Sequence, residues 1–407
     1  MGLPRWKKTA VILFGVILPF ISALLIFNFF LLPDSLTIVE GSDLDNSSFV
    51  SVNASADGVG ATAKAFGVLP IKNLEVNVVP GKKVYVSGTP IGIKLKSRGI
   101  LITGYIGFLS KENIYVTPGR DSGFRIGDRI LEINGKEVND CDELISLIEE
   151  SNKEEHTFTI ERMGTIMKIV SKTCIDGQSG KMRLGLWIKD SAAGIGTLTF
   201  YDKKTGFFGA LGHGISDNNT ARIFEVSEGE MYKATILDIT KGIPGCPGEL
   251  KGCFTDTERV IGNVFVNSET GIFGIMSKEG FADIAGREMY IGSYNQVREG
   301  KAVILSTIGD GKPKEYEIEI TKVNKTKVKS PKGIVLKITD KELLDATGGI
   351  VQGMSGSPII QNGKLVGAVT HVMVNDPSTG YGIFIEGMLA NYDLVYKEKG
   401  SCLDLAS

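Results

Sequence analysis

The stretch that decides the fold reads Val351-Gln-Gly-Met-Ser-Gly-Ser-Pro-Ile-Ile360. In it Ser355 precedes a glycine and an apolar strand. A nucleophilic serine needs a tight turn that projects its hydroxyl while backbone amides point inward, and glycines permit such a turn. Amides placed in this way form an oxyanion hole. The pattern predicts Ser355 as a nucleophile, with the amides of Gly353 and Ser355 as the oxyanion hole. The alternative is an ordinary glycine-rich turn.

A serine nucleophile needs a base, and the chain has three histidines. His213 ends the apolar run Gly206-Phe-Phe-Gly-Ala-Leu-Gly-His213 and is the favoured base. His371, on a strand after the serine, is the rival base, whereas His156 stands beside acidic residues in an earlier region. Histidine before serine excludes the α/β-hydrolase order. The order resembles the chymotrypsin-type double β-barrel, whose histidine comes from the first barrel and whose serine comes from the second.

The third catalytic residue should be a carboxylate that orients the imidazole. The sequence alone leaves several candidates open in the second half of the chain: Asp217, Asp238, Asp256, Asp283 and Asp340. After the serine, the strand Lys364–Val372 carries Thr370, His371 and Val372, which we expect to line the substrate pocket. No charge there predicts a cleavage preference.

The N-terminus predicts a membrane anchor. Arg5, Lys7 and Lys8 precede an uncharged apolar run over Thr9–Leu32, which is long enough to span a bilayer. The positive-inside rule places residues 1–8 in the cytoplasm and the rest outside. A long cleaved signal peptide is the alternative, and either interpretation exports the chain. Residues 33–90 are expected to be a flexible tether, rich in small and polar residues over 34–66, followed by lead-in strands.

Residues 91–178 predict a small α+β module. Arg125-Ile-Gly-Asp-Arg-Ile-Leu-Glu-Ile-Asn-Gly135 joins an apolar strand to a tight turn, and a helix capped by Asp140 follows to Glu150. This order resembles a PDZ domain of the bacterial type that is attached to exported proteases. By that resemblance, the loop containing Ile91, Gly92 and Ile93 holds the C-terminal carboxylate of a peptide. The alternative is a structural spacer without a ligand.

The amino-acid composition bears on the binding partners and on the type of secondary structure. The chain has 407 residues, 51 of them glycine, and a net charge of −2. The charge gives no basic footprint for nucleic acid, and the many glycines predict turn-rich β structure over residues 179–407. Cys246 and Cys253 are close enough in sequence for one local disulfide, although free thiols are the simpler expectation. We expect no metal and no organic cofactor.

Three strings give a closer resemblance: Gly212-His-Gly-Ile-Ser-Asp217, Gly348-Gly-Ile-Val-Gln-Gly-Met-Ser-Gly-Ser-Pro358 and Thr370-His-Val-Met-Val-Asn-Asp-Pro377. They resemble peptidase family S55, the SpoIVB-type signalling serine peptidases of endospore-forming bacteria. The resemblance implies a triad of His213, Asp340 and Ser355, where Asp340 is carried over from the family alone. It also implies self-cleavage and cleavage of a membrane-bound inhibitor of an intramembrane metalloprotease, in the space around the forespore.

The combined prediction is a mainly β protein with an N-terminal transmembrane helix, a PDZ-like module and a chymotrypsin-like double β-barrel peptidase. Its function would be that of an exported, membrane-tethered serine endopeptidase that activates a late sporulation sigma factor by signalling between compartments. Its partners would be protein substrates, peptide C-termini bound by the PDZ-like module, and the membrane. Two alternatives remain: a quality-control protease of the envelope, and a PDZ-type adaptor with an inactive peptidase unit.

Overall fold

The computed structural model describes residues 82–405 except 152, 218 and 310. It also describes the strand residues 35–39, 50–54, 60–65 and 69–79, and the single positions 14, 15, 19, 22 and 26. The chain divides into two compact units, Met1–Lys82 and Lys83–Ser407.

The first unit contains a four-stranded sheet formed by β1 (Ser35–Val39), β2 (Val50–Ala54), β3 (Gly60–Ala65) and β4 (Leu69–Val79). The strand order is β1-β4-β3-β2, and β1 runs parallel to β4. Val50 and Val52 pair with Ala65 and Ala63 across an antiparallel hairpin. The prediction of a flexible tether over 34–66 is therefore wrong at these strand residues, because the small apolar side chains alternate with polar ones at the period of a strand.

The predicted transmembrane run over Thr9–Leu32 lies almost entirely outside the described residues. No helix in the described part of the chain is long and apolar enough to cross a membrane.

The second unit is built mainly from strands. Its first group comprises β5 (Lys83–Val86), β6 (Pro90–Tyr105), β7 (Phe108–Leu109), β8 (Tyr115–Val116), β9 (Arg129–Ile133), β10 (Lys136–Glu137), β11 (Glu155–Arg162), β12 (Thr165–Lys172), β13 (Cys174–Ile175) and β14 (Met182–Arg183). The next group comprises β15 (Leu186–Tyr201), β16 (Phe207–Ala210), β17 (Glu228–Thr240), β18 (Glu249–Phe254), β19 (Gly262–Ser268), β20 (Gly271–Met276) and β21 (Arg287–Tyr290).

The last group comprises β22 (Gly300–Ser306), β23 (Lys314–Val323), β24 (Ile334–Ile338), β25 (Pro358–Gln361), β26 (Lys364–Met373) and β27 (Asp376–Phe384). Six described helices accompany the strands: α1 (Pro118–Asp121), α2 (Cys141–Glu150), α3 (Lys278–Asp283), α4 (Lys341–Thr347), α5 (Ile385–Leu389) and α6 (Tyr392–Leu405).

Two rings of six strands form the body of the second unit. In the first barrel β6 pairs with β17, and the pairing continues through β19, β20, β16 and β15 back to β6. The second barrel is closed in the order β22-β23-β24-β27-β26-β25. Each ring surrounds its own apolar core, which includes Leu198 and Phe208 in the first and Ile304 and Leu336 in the second. The structure therefore agrees with the predicted mainly β, double-barrel architecture.

The PDZ-like module is inserted into the first barrel. Strand β6 begins in the barrel, where residues 91–96 pair with β17, and continues into the module, where Ile100 and Leu101 pair with β9. Strand β15 returns in the same way, because residues 186–189 pair with the module half of β6 and residues 193–197 pair with the barrel half. The predicted boundary at residue 91 is therefore wrong, since the chain enters the peptidase barrel before it enters the module.

The predicted helix of the module is confirmed. It spans Cys141–Glu150, and the Asp140 side chain accepts a hydrogen bond from the Glu143 amide. Its residues Leu144 and Ile148 are buried in the core of the module. A capping carboxylate of this kind typically stabilises a helix by about 1 kcal/mol.

The predicted position of the carboxylate-binding loop, at Ile91, Gly92 and Ile93, is wrong. Ile91 and Ile93 are at most 1% exposed and lie in the core of the first barrel. Around them β6 is paired on one edge with β15 and on the other with β17. Both backbone edges are occupied by strands, so Ile91, Gly92 and Ile93 cannot bind a peptide.

Candidate active site

The turn before β25 presents the amide of Gly353 as an unused donor. In a trans peptide the N–H and the C=O point in opposite directions. The carbonyl of Gln352 accepts a hydrogen bond from the Leu250 amide at 2.8 Å, which turns the Gly353 N–H the other way. That N–H donates to no other described residue. Gly353 has φ +95°, a conformation that glycine adopts without strain.

The amide of Ser355 is also an unused donor, because the carbonyl of the same peptide group is hydrogen-bonded on the opposite side. The carbonyl of Met354 accepts from the Ser357 amide at 2.9 Å, and the Ser355 N–H has no partner among the described residues. Two fixed and unoccupied donors therefore stand two residues apart in the nucleophile turn. Unpartnered backbone donors of this kind are what an oxyanion hole requires, since they are already in place when charge develops.

The candidate general base, His213, follows a turn at the end of β16. Leu211 and Gly212 both have positive φ, of 65° and 70°, and they carry the chain from the first barrel to His213. The half-buried His213 places its Nδ1 2.9 Å from the carbonyl oxygen of Gly214. A carbonyl can only accept, so Nδ1 carries the proton and Nε2 is left as an acceptor. This is the tautomer that can take a proton from a serine.

The two barrels bring the base and the nucleophile to the same point of β26. The Ser355 hydroxyl donates to the Thr370 carbonyl at 2.7 Å. The ring of the next residue, His371, lies 4.7 Å from that of His213 between centroids. Proton transfer requires the Ser355 hydroxyl to rotate from Thr370 to His213, and such bonds often form only when substrate binds.

Burial keeps both imidazoles of the site uncharged near neutral pH. It lowers the pKa of His213, although the hydrogen bond to the Gly214 carbonyl acts in the opposite direction. Burial, together with the charges of His213 and Lys332, lowers the pKa of His371 to about 4. The buried Nδ1 of His371 has no hydrogen-bond partner in the described part of the chain. A neutral His213 is able to act as a base, whereas His371 is a weak base at neutral pH.

Asp340 is engaged elsewhere. One carboxylate oxygen accepts from the Leu343 amide at 3.0 Å and caps helix α4, and the other accepts from the Glu317 amide at 3.3 Å. The pairing of Asp340 with His213 that the family resemblance implies is not formed among the described residues, where the ring of His213 is hydrogen-bonded to the Gly214 carbonyl instead. In this structure the group that orients His213 is the carbonyl of Gly214.

The expected substrate-pocket residues adjoin this site. Thr370 is buried, and its hydroxyl donates to the Pro331 carbonyl, so its side chain links β26 to the segment that contains Pro331. His371 and Val372 are partly exposed beside it. Their proximity to Ser355 follows from the Thr370 contact, and their role in binding substrate stays a prediction.

Comparisons with known proteins place this geometry in a family. The family model described as SpoIVB peptidase S55 matches residues 180–389, which is more than half of the chain. The chain belongs to the SpoIVB peptidase family S55. A PDZ domain model also matches residues 116–162. This S55 peptidase is therefore a serine endopeptidase that carries a PDZ domain, and its substrates are proteins or peptides.

Solved structures show weaker similarity. The PDZ domain of an SdrC-like protein from Listeria monocytogenes is 19% identical over 22% of this chain and 87% of its own, with a TM-score of 0.18. The Rv3671c protease in an inactive form is 12% identical over 49% of this chain and 84% of its own, with a TM-score of 0.28. The HtrA-type protease AlgW S227A with a decapeptide is 11% identical over 51% of this chain and 54% of its own, with a TM-score of 0.31. No curated protein matches the chain.

The PDZ domain of this S55 peptidase has an apolar groove away from the catalytic residues. The groove has a volume of about 440 Å³ and lies between helix α2 and the beginning of β15. Leu144, Ile145 and Ile148 line it from the helix, and residues 181–188 line it from the opposite side. Of these, Ile145 is 43% exposed and Trp187 is 57% exposed.

One end of the groove presents backbone amides. The carbonyl of Leu184 accepts from the Gly119 amide at 2.7 Å, and that of Gly185 accepts from the Ile106 amide at 3.0 Å. By the geometry of trans peptides, the N–H groups of Gly185 and Leu186 point away from these partners. Successive amides arranged in this way form a concavity that favours an anion.

The sequence contains the pattern of a carboxylate-binding loop at this groove, but the prediction placed the loop at a different copy of that pattern. Leu184-Gly-Leu-Trp187 has the same apolar-Gly-apolar pattern as Pro90-Ile-Gly-Ile93, and in the structure both stand at or near the start of a strand, β15 and β6. The pattern alone does not distinguish them. The difference is that β15 has an unpaired edge at residues 186–189, whereas β6 is paired on both edges at residues 91–93.

One smaller expectation can also be compared with the structure. Cys246 and Cys253 are free and exposed, so no local disulfide joins them.

Proposed function

We propose that this S55 peptidase is an exported, membrane-tethered signalling endopeptidase that uses Ser355 as its nucleophile. The observation that carries the proposal is the arrangement of two unoccupied amides, Gly353 and Ser355, beside a neutral His213 whose Nε2 is free to accept. Family membership supplies the reaction class. The geometry supports these residues as the ones that perform it.

The mechanism follows from the positions of these groups. The Ser355 hydroxyl leaves the Thr370 carbonyl and attacks the scissile carbonyl carbon, while His213 Nε2 takes its proton. The amides of Gly353 and Ser355 bind the oxyanion of the tetrahedral intermediate. His213 then gives the proton to the leaving amine, and water hydrolyses the acyl-enzyme by the same steps. The Gly214 carbonyl keeps the imidazole in the reactive tautomer throughout.

Labelling with a fluorophosphonate probe tests this assignment. We expect the wild-type protein to be labelled and Ser355→Ala to lose all labelling, because the probe reacts only with an activated serine. Ser357→Ala is the matched control, since that serine lies two residues away and its hydroxyl donates to Ser306 instead. Labelling of Ser355→Ala would contradict the assignment.

The same experiment decides the adaptor alternative. The observation in its favour is that Ser355 is bonded to Thr370 and not to His213 in this structure. A folded wild-type protein that takes no label would support an adaptor with an inactive peptidase unit. A quality-control protease would instead be labelled and would cleave many unfolded proteins, whereas a signalling peptidase should cleave few.

We further propose the cellular role that the family resemblance implies. The enzyme would be anchored by Thr9–Leu32 with its peptidase outside the cytoplasm, in the space around the forespore. It would cleave itself and a membrane-bound inhibitor of an intramembrane metalloprotease, which leads to activation of a late sporulation sigma factor. N-terminal sequencing of the mature protein beside that of Ser355→Ala tests self-cleavage. An identical N-terminus in both would show that the cut is made by another protease or not at all.

The PDZ domain is proposed to bind the C-termini of peptides in the groove between α2 and β15. The unpaired edge of β15 at residues 186–189 can accept an added strand, and the Gly185 and Leu186 amides can hold the terminal carboxylate. The apolar side chains of α2 favour an apolar terminal residue. Lys181 and Arg183 also line the groove, where they form ion pairs with Glu149 and Asp176.

A further inference from the structure

One residue of β15 is hydrogen-bonded to both parts of the catalytic machinery. The Thr197 amide donates to the Ser355 carbonyl at 2.9 Å, and its hydroxyl donates to the Gly353 carbonyl at 2.8 Å. Its own carbonyl accepts from the Leu211 amide at 3.2 Å, two residues before His213. Thr197 is only 3% exposed, so these bonds are shielded from water.

The bond from the Thr197 hydroxyl fixes the peptide group that lies between the two oxyanion-hole amides. The carbonyl of Gly353 belongs to the peptide that joins Gly353 to Met354. If this peptide rotates, the Gly353 and Ser355 N–H groups on either side of it change their directions relative to each other. Gly353 has no side chain to resist that rotation, and its φ of +95° lies where a glycine has many neighbouring conformations. An external bond to its carbonyl is therefore an effective way to hold the turn.

The backbone atoms around Thr197 are closely packed. A Cβ atom at Gly356 would lie 2.0 Å from the Thr197 carbonyl oxygen and 2.6 Å from the Leu211 amide nitrogen. The nucleophile turn, β15 and the turn that leads to His213 are thus in direct backbone contact. Because of this close approach, a shift of Thr197 moves the oxyanion hole and the base together.

We propose that Thr197 is a positioning residue of this peptidase: its hydroxyl holds the Gly353–Ser355 turn in the shape that binds the oxyanion. The inference rests on the proposed function, since it takes Ser355 as the nucleophile. It adds a residue from the first barrel to the support of an oxyanion hole that belongs to the second. Thr197 touches no reacting atom and acts only through the turn that it holds.

Replacement of the hydroxyl tests the role of Thr197. Thr197→Val keeps the shape and the strand propensity of the residue but removes the donor. Loss of one oxyanion-hole donor typically costs about 10²–10³ in rate, and a misaligned hole should cost less, about 10–100-fold. We expect this decrease in the maximal rate of fluorophosphonate labelling at Ser355, with little change in the probe concentration that gives half of that rate. Thr197→Ser retains a hydroxyl and should label within about threefold of wild type.

Thr199→Val is the matched control for stability. Thr199 is fully buried on the same strand, and its hydroxyl donates at 2.8 Å to the Gly356 carbonyl, which lies beyond the serine. We expect both valine variants to lower the melting temperature by similar amounts, but only Thr197→Val to slow labelling more than threefold. Thr197→Ala, which lacks the hydroxyl and is smaller, is the second variant should valine impair folding.

The outcomes separate this inference from the proposed function. If a folded Thr197→Val or Thr197→Ala variant is labelled as fast as wild type, or if Thr199→Val is slowed as much as Thr197→Val, Thr197 is not a positioning residue. If wild type itself is not labelled at Ser355, the proposed nucleophile fails and this inference fails with it.

Discussion

Asp340 has two candidate roles, capping of helix α4 and orientation of His213. Its carboxylate accepts from the Leu343 and Glu317 amides, so it closes the first turn of α4 and ties that turn to β23. Helix α4 leads through Gly348 to the nucleophile turn. A substitution at Asp340 can therefore reduce activity without any contact between Asp340 and His213.

Asparagine at this position separates the two roles. Asn caps helices about as well as Asp, so we expect Asp340→Asn to retain activity within about threefold and Asp340→Ala to lose about 1 kcal/mol of stability. Peptidase rates and thermal melting of both variants provide the measurement. A decrease of about 10⁴ in turnover with Asn, as occurs when a triad aspartate is replaced, would restore Asp340 to the triad.

At the scale of single residues, the sequence indicated Ser355 and His213 as the proposed nucleophile and base, because both stand in local strings of glycine and small residues. It did not predict the carbonyl of Gly214 as the group that orients His213, since a backbone acceptor leaves no trace in residue type. The capping role of Asp340 was not predicted either, although this residue stands directly before α4 and Glu342 lies in the first turn of that helix.

At the scale of elements, β15 and α2 define the peptide groove. The strand contributes an open edge and the helix contributes apolar side chains, while Asp190 links them by accepting from the Cys141 amide at 2.8 Å. Residue patterns predicted α2. They did not predict the groove, because the edge that stays unpaired depends on contacts between residues far apart in the chain.

The exposed residue Ile145 of α2 provides a test of the groove. Ile145→Lys should leave folding intact, since 43% of the side chain is already exposed, but should weaken binding of a peptide with an apolar C-terminus at least tenfold. Fluorescence anisotropy of a labelled peptide gives the affinity, and the same peptide with an amidated C-terminus tests the carboxylate. Ile166→Lys, on the exposed face of β12, is the control. Equal binding by the Ile145 variant would place the peptide elsewhere.

At the scale of the molecule, the second unit is a peptidase with a domain inserted into its first barrel. The family model begins at residue 180, whereas the barrel begins with β6. Ile91, Ile93 and Leu95 are at most 1% exposed in that strand. Burying each such side chain contributes about 1.5–3 kcal/mol, and a folded domain has a net stability of only about 5–15 kcal/mol.

A chain that begins at residue 180 should therefore fail to fold, whereas residues 83–407 should fold and react. Circular dichroism melting and fluorophosphonate labelling of the two chains provide the measurement. We expect a cooperative transition and labelling for 83–407 and neither for 180–407. A stable, labelled 180–407 chain would mean that the strand before the PDZ domain is dispensable.

The insertion has a consequence for the enzyme when it is cut. The tip of the β11–β12 hairpin, where Met163 is 81% exposed, is accessible to a protease. A nick there would produce two fragments that each supply strands to the first barrel, so they would remain interlocked as a complemented pair. Cleavage inside the insert would break the backbone without dividing the fold. A cut before residue 83 would instead leave all the strands of both barrels on one fragment.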